Sequence, residues 1–401
     1  MKKIAYLAPE IPSFSATFVF NEVIAVRSAG FEVVCYSVHR PVIVQPELTS
    51  FFVETIYLYN RKLYWLSQAL LFILSSPLSF LKGFRCLVSD VIFVGLNKQS
   101  MKLAFQFLMA AGLAKSLLEE GCAHLHIHFA HVPTQIGMYA SALAGIPFSV
   151  MAHANDIFQR PLLLKQKAER SKVFCTISEY NRNYLISQGL DEKKIQIVRC
   201  GFAFSPVDAP ALFGSKPQYT LGTLGRFVEK KGIDVLIKAL YRLHTLHQGR
   251  FRLLIAGNGP DQSLLENLVD QYSLRGVVSF IGPLKHAEVS SWMAGIDAFV
   301  LACRIDSNGD MDGIPVVLME AMSQNVPVIS TRISGIPELV IDGITGLLAD
   351  SANEIELAEK ICTLFENPES LNHYVSQARK HVENEFSLKN NTDRLLAFID
   401  A

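Results

Sequence analysis

Short apolar runs alternate with stretches of helical spacing along nearly the whole chain. KIAYLAP (3–9), whose apolar run Ile4–Ala8 is stopped by Pro9 and Glu10, predicts a strand. Phe18–Gly30 carries apolar residues at helical spacing and ends at glycine, a favoured residue just past a helix terminus. FEVVCYSV, AHLHIHFA, PFSVMAH, SKVFCTIS and KIQIVRCG predict further strands, with a helix over Val132–Ala144 between the second and third. Strands alternating with helices imply βαβ units and a parallel sheet.

The alternation lapses at 202–217, where Pro206, Pro210 and Pro217 interrupt a segment without periodicity. It then restarts. YTLGTLGRF, FRLLIAGNGP, VVSFIG, AFVLAC, VPVIST and TGLLA predict strands, and Ile233–His247, Gln262–Tyr272 and Val316–Ser323 predict helices. Ser387–Ile399 reads as an amphipathic helix with Ser387 as N-cap. The expected organisation is a first Rossmann-like domain over 1–205, a linker over 206–217 and a second over 218–386. Two doubly wound α/β domains facing each other put a ligand cleft at the carboxyl ends of both sheets.

Composition narrows the class. The 401 residues hold 37 Lys+Arg against 37 Asp+Glu, a net charge of zero that argues against a dedicated nucleic-acid binder. Half the residues are hydrophobic and 18% are charged, so the chain has the material for large cores and little charge to keep apolar surface apart from partners. Seven dispersed cysteines without a CxxC read as reduced thiols of a cytoplasmic protein. Met1-Lys2-Lys3 resembles the start of a secretion signal, but Ile4–Ala8 is too short for its apolar core. Leu63–Leu81 carries no formal charge over 19 residues, the length of a membrane span. Gln68, four serines and Pro77 argue against spanning and leave two readings, a buried helix or a surface that meets membrane or a lipid acceptor.

Two motifs carry chemistry. In Gly225–Asp234 (GRFVEKKGID) a strand ends in glycine, Arg226 and Lys231 bracket a short loop, and a helix follows Gly232. A helix N-terminus with two cations suits a diphosphate; the alternative is a solvated turn. In Asp312-Gly313-Ile314-Pro315-Val316-Val317-Leu318-Met319-Glu320 seven residues separate two acids, the second about one turn into a helix. A carboxylate there can accept from paired hydroxyls such as those of ribose, and the first acid with the free N–H groups of the turn suits a sugar; for Glu320 the alternative is an ordinary helix acid. His124, His126, His128 and His131 form a run on and after one strand, but no acid or cysteine adjoins them in sequence, so no metal is expected. Asp310-Met311-Asp312 is a DxD whose site already has positive charge from Arg226 and Lys231.

Together with Ala256–Pro260, Phe280–Gly282 and Ala298–Cys303, these segments resemble the C-terminal domain of family-4 glycosyltransferases, retaining enzymes of the GT-B fold. HIHFAHVPT, GIPFSVMAHANDIF and TISEYN resemble the colanic-acid type subgroup that builds bacterial exopolysaccharides. The resemblance implies that Arg226 and Lys231 hold the diphosphate of a nucleotide-sugar donor and that Glu320 takes its ribose hydroxyls. Asp312 would orient the transferred sugar with the backbone of Gly313, Ile314, Pro315 and Val316. His153 matches a pocket histidine near the sugar, Asn155 and Asp156 would line the same lip, and Thr17 and His128 lie on the acceptor side. The helix 387–401 would pack back on the first domain. Two departures stand out: Asp312 replaces the commoner Glu, and Pro12–Phe18 replaces a glycine-rich loop.

The expected activity is transfer, with retention, of a sugar to a glycan or lipid-linked acceptor in surface polysaccharide synthesis. It needs no cofactor or metal and is placed in the cytoplasm, with peripheral contact at the inner membrane face through 63–94. A silent nucleotide-sugar-binding subunit and a sugar-nucleotide epimerase are the competing classes.

Overall fold

The computed structural model describes residues 2–13, 16–42, 49–204, 216–366 and 368–400. The chain forms two units: Met1–Ile177 with Asn181–Gly201 and Leu388–Ala401, and Ser178–Tyr180 with Phe202–Ser387. Most of the proline-rich segment 206–217 lies outside the described residues.

The first unit holds a seven-stranded sheet of β1 (Lys3–Glu10), β2 (Glu32–His39), β3 (Ile56–Tyr57), β4 (His124–His128), β5 (Phe148–Ala152), β6 (Val173–Thr176) and β7 (Ile195–Ile197). Its order is β3-β2-β1-β4-β5-β6-β7 and every pair is parallel. Helices cover both faces, which is why β1 is an unbroken apolar run. Ala5 and Leu7 face one core with Trp65, Phe72, Phe107 and Tyr139. Ile4, Tyr6 and Ala8 face the other, closed by the helix Thr17–Ser28 and the final helix Leu388–Asp400 through Leu395, Leu396 and Ile399. Each of those three apolar side chains contributes about 1.5–3 kcal/mol by burial. Lys172 Nζ adds a bond to the Ile399 carbonyl at 2.7 Å, and Arg199 N–H donates to Asn391 Oδ1 at 3.0 Å.

The greasy stretch at 63–81 is not one helix. Ser76 breaks it into Lys62–Ser75 and Pro77–Val94, bent by 116°. Pro77 opens the second helix, where a missing N–H costs nothing. Trp65, Ala69 and Phe72 are buried, whereas Leu63, Leu74 and Leu78 are 84%, 71% and 79% exposed. Buried Asp90 anchors the second helix by two 2.7 Å bonds from Arg170 and one of 2.8 Å from Tyr139 Oη. The following helix, Lys98–Glu119, is long and apolar enough to cross a membrane; 56% of that apolar window is buried, and the helix lines the first core.

The second unit holds β8 (Tyr219–Leu224), β9 (Phe251–Ala256), β10 (Val278–Gly282), β11 (Ala298–Val300), β12 (Val328–Thr331) and β13 (Leu347–Ala349) in the order β10-β9-β8-β11-β12-β13, again all parallel. The chain enters and leaves this unit at adjacent points. Phe202 N–H donates to the Phe386 carbonyl at 2.8 Å, and Phe202 bridges to Ser387. On the first unit's side Gly201 lies so close to Leu388 that a Cβ there would sit 2.4 Å from the Leu388 Cα.

Candidate functional site

Each sheet reverses its strand order beside its first strand, at β1/β4 and at β8/β11. Ligands of open parallel sheets bind beyond the carboxyl ends at such points. The sequence-identified residues gather there.

In the second unit β8 runs into Gly225-Arg226-Phe227. Gly225 N–H donates to the Ala256 carbonyl at 3.1 Å and Phe227 N–H to that of Asn258 at 2.8 Å. The loop after β9 presses so tightly here that a Cβ on Gly257, at φ +125°, would meet the Gly225 oxygen at 1.9 Å. A single helical turn, Glu229–Lys231, precedes Gly232, whose φ of +61° opens the helix Ile233–Leu246. A Cβ on Gly232 would lie 1.8 Å from the Ala302 oxygen, so only glycine lets this turn pass the end of β11.

Lys231 and Asp312 meet at 2.5 Å, both largely buried. Lys230 bonds Asp310 at 2.8 Å and lies 3.3 Å from the other Asp312 oxygen. Burial alone would raise the Asp312 carboxyl, but the two ammonium groups outweigh it and hold it below its ordinary range. Burial lowers Lys231 and the facing Asp312 more than restores it, so its pKa is raised. Both acids of the DxD therefore face lysines. Cys303 Sγ, 3.6 Å from Asp312, is buried and its thiol is pushed up, which keeps it neutral. Arg304, 3.3 Å from Asp234 and 3.6 Å from Glu229, ties the loop after β11 to the turn before the helix.

The Arg226 side chain is exposed and makes no ion pair or hydrogen bond among the described residues, which leaves its guanidinium available to a ligand. Ile314 and Pro315 are buried, Gly313 and Val316 half-buried. The helix Val316–Ser323 begins without a side-chain cap, so its first N–H groups remain for an acceptor. Glu320 is half-buried one turn further along.

In the first unit the corresponding point is a buried histidine cluster. His153, 6% exposed, stands at the end of β5 between the rings of Phe18 and Phe129, at 4.7 and 4.5 Å. Its Nε2 lies 3.4 Å from His128 Nδ1 and its Nδ1 lies 4.0 Å from Cys200 Sγ. Burial first, then His128, lowers its pKa well below the usual value and keeps the ring neutral. His128 is itself buried, with Nε2 at 3.1 Å from Glu22 Oε1. Glu22 comes from the helix Thr17–Ser28, where Thr17 is the half-buried first residue. Tyr6 Oη donates to the same carboxylate oxygen at 3.0 Å. Burial would raise Glu22; His128 and His126 outweigh it and lower it.

Asp156 does not line an open lip. It is fully buried and accepts from the backbone N–H groups of His153, at 2.9 Å, and Ala130. Burial pushes its carboxyl up to about 7. Lys167, also buried, donates to the Ala130 carbonyl at 2.5 Å, and burial brings its ammonium down to about 7. Half-buried Asn155 bonds Gln159 at 2.5 Å. The sequence showed no acid beside the histidines, yet the fold supplies Glu22 from 106 residues away. Glu22 interrupts the apolar stripe Val19, Val23, Val26, and that interruption was the available signal.

Comparison of the chain with known proteins bears on the second unit first. Residues 210–381 match the family described as glycosyl transferases group 1. That domain contains Arg226, Lys230, Lys231, Asp310, Asp312 and Glu320. WcaL of Escherichia coli K12, named as a colanic acid biosynthesis glycosyltransferase, is 34% identical over 59% of this chain and 59% of its own length. The Salmonella typhimurium protein of the same name is 33% identical over 63% of this chain and 61% of its own. The chain thus spans about three-fifths of those two relatives. The amylovoran biosynthesis glycosyltransferase AmsK of Erwinia amylovora is 27% identical over 96% of both chains. Among solved structures, Anabaena HepE in complex with UDP superposes with a TM-score of 0.74 at 16% identity over the whole of both chains. The lipopolysaccharide outer core galactosyltransferase WaaB superposes at 0.70 and 16% over 99% of each. The fold is GT-B, two Rossmann-like domains with parallel sheets.

Proposed function

We propose that the chain is a retaining, family-4 glycosyltransferase of surface polysaccharide synthesis. It moves a sugar from a nucleotide-sugar donor to a glycan or lipid-linked acceptor. The observation that carries this is the group 1 match over 210–381, with an unpartnered Arg226, the paired Lys231 and an uncapped helix start in that unit. The barrier is departure of a nucleoside diphosphate from the anomeric carbon. Arg226 and Lys231 stabilise the charge that grows on the leaving phosphate, and they do so without a divalent cation. Asp312, fixed by Lys231 and Lys230, positions the sugar with the backbone of 313–316, and Glu320 takes the ribose hydroxyls. The acceptor attacks on the face the phosphate leaves, and the phosphate accepts its proton. His153, neutral through burial, is a hydrogen-bond partner of the sugar rather than a base. Thr17 and Asn155 belong to the acceptor side, whereas the buried His128 has its two ring nitrogens on His153 and Glu22.

The enzyme works at the cytoplasmic face of a membrane. Support comes from the bent helices Lys62–Ser75 and Pro77–Val94 and the start of the next helix. Exposed Leu63, Leu74 and Leu78 lie there with exposed Arg61, Lys62, Lys82, Arg85, Lys98 and Lys102, and the one acid of 59–102, Asp90, is buried.

The test is thermal shift against UDP-, GDP-, ADP- and dTDP-sugars in EDTA, then product analysis with the stabilising donor. A donor at 100 times its dissociation constant adds ~2.7 kcal/mol. Arg226→Ala, at an exposed position, should lose that shift with its own stability unchanged. An α-linked product from an α-linked donor supports retention, and inversion refutes it. Binding without turnover in the presence of acceptor would make the chain a silent subunit.

A further inference from the structure

Glu22, His126 and His128 place three ligand atoms of differing chemistry around one point inside the first unit, all within 4.8 Å of one another. We propose that this cluster is a transition-metal site for Zn2+ or a similar divalent ion, separate from the donor diphosphate and independent of the transferase reading.

Three features point to a ligand. Glu22 Oε1 lies 3.1 Å from His128 Nε2 and 3.3 Å from His126 Nε2. Ligands bound at the usual 2.0–2.1 Å in tetrahedral geometry stand about 3.3–3.4 Å apart. His126 is fully buried, and its Nε2, aimed at this carboxylate, makes no hydrogen bond. The other ring nitrogens are both engaged: His126 Nδ1 is 2.7 Å from Ser149 Oγ and His128 Nδ1 is 3.4 Å from His153 Nε2. Metal-bound imidazoles are held in this way, with the distal N–H donated to a fixed partner.

One of the two proton placements at Ser149 favours the same cation. Ser149 Oγ also lies 2.8 Å from His124 Nε2, and its single proton serves one imidazole. When it goes to His124, His126 Nδ1 donates to Ser149, and the lone pair on His126 Nε2 faces a carboxylate oxygen. A divalent ion between them turns that repulsion into two bonds. Tyr6 Oη, 3.0 Å from the same oxygen, is the nearest further donor. Two neutral imidazoles and one carboxylate suit Zn2+, Co2+ or Fe2+ rather than Mg2+ or Ca2+. The ion would join the helix Thr17–Ser28 to β4.

The experiment uses the full-length protein, dialysed against EDTA and titrated with Co2+ by visible absorption, then with Zn2+ by displacement. Saturable uptake of Co2+ at one per chain, with intense d–d bands of low coordination number, is expected. Glu22→Gln and His126→Gln should abolish it while far-ultraviolet dichroism is retained. Ser149→Ala should weaken it by about 10–100-fold. His131→Gln, whose Nδ1 serves the Val132 N–H, should leave it unchanged. No saturable uptake by wild type overturns the proposal without any variant, as does stoichiometric uptake that survives in both folded ligand variants. Donor-induced thermal shift in the same preparations reports on the transferase reading separately.

Discussion

Removing the Asp312 carboxylate should reveal how the second unit keeps a lysine charged inside protein. Side-chain exposures of 16% for Lys231 and 13% for Asp312 put the pair where breaking it from one side costs about 3–5 kcal/mol. The two ends are not equivalent. Lys231→Met leaves Asp312 with Lys230 at 3.3 Å and should cost about 1.5–3 kcal/mol. Asp312→Asn leaves Lys231 without a carboxylate and should cost the larger amount. The pH dependence separates the cases further. In wild type Asp312 is lowered, so its contribution is complete above the unfolded value near ~3.9 and is lost as pH falls through the folded value. Lys231 is raised, so its contribution is complete below the unfolded value near ~10.4 and is lost as pH rises through the folded one. Between about pH 5 and 9 these two groups give wild type no slope. In Asp312→Asn, burial acts on Lys231 without its carboxylate and its pKa falls. The unfolded chain then binds more protons, and stability should rise with pH by up to about 1.4 kcal/mol per unit. Of the chain's two tryptophans, Trp292 lies in the second unit and Trp65 in the first, so urea unfolding in a Trp65→Phe background reads the second unit alone. Equal slopes for wild type and Asp312→Asn, or a loss below ~1 kcal/mol, would refute the reasoning.

Three more outcomes are expected. Gly232→Ala, with φ at +61° and a Cβ 1.8 Å from the Ala302 oxygen, should cost about 2–4 kcal/mol in the Trp292 assay, whereas Gly249→Ala, at +77° in open space, should cost about 1. Asp90→Leu should cost about 3–5 kcal/mol by unpairing Arg170, and adding Arg170→Met should restore most of it; a strictly additive double variant in urea titrations followed by Trp65 would contradict this. Leu74→Ser with Leu78→Ser should change stability by under ~0.5 kcal/mol but lower co-sedimentation with anionic vesicles, and Lys82→Gln with Arg85→Gln should lower it further by about fivefold per charge. Unchanged binding in the variant that combines all four substitutions would remove the membrane contact.

What the sequence disclosed follows from range. Strands such as Ile4–Ala8 and helices such as Val132–Ala144 and Val316–Ser323 were legible because apolar period and terminal glycine or proline are local properties. The helix Lys98–Glu119 was passed over, although Asn97 caps it with bonds from Gln99 and Ser100, because its apolar residues continue the greasy run before it. The bend at Ser76 was hidden for the same reason. Lys231 and Asp312 were each singled out, but their pairing spans 81 residues and has no signature short of the β8/β11 adjacency. Lys230 and Glu22 escaped because a charge reads as surface until its neighbours are known, and Asp310, noted as part of the DxD, gave no sign of its pairing with Lys230. Asp156 misled for the opposite reason: a polar residue after a strand end looks like a lip, and only the fold shows its oxygens taken by backbone N–H groups.

The adjacency of Phe202 and Ser387 makes the second unit a closed excursion, flanked on both sides by segments of the first. A polymer loop whose ends already touch can be lengthened, shortened or replaced at small entropic cost, about 0.6 kcal/mol for each doubling of its length. The first unit is therefore insulated from the identity of what is carried between Gly201 and Leu388. Exchange of the intervening cassette is a route by which such a scaffold could change its second unit and keep its first. The splice is fixed sterically, because no side chain larger than hydrogen fits at Gly201 against the Leu388 backbone.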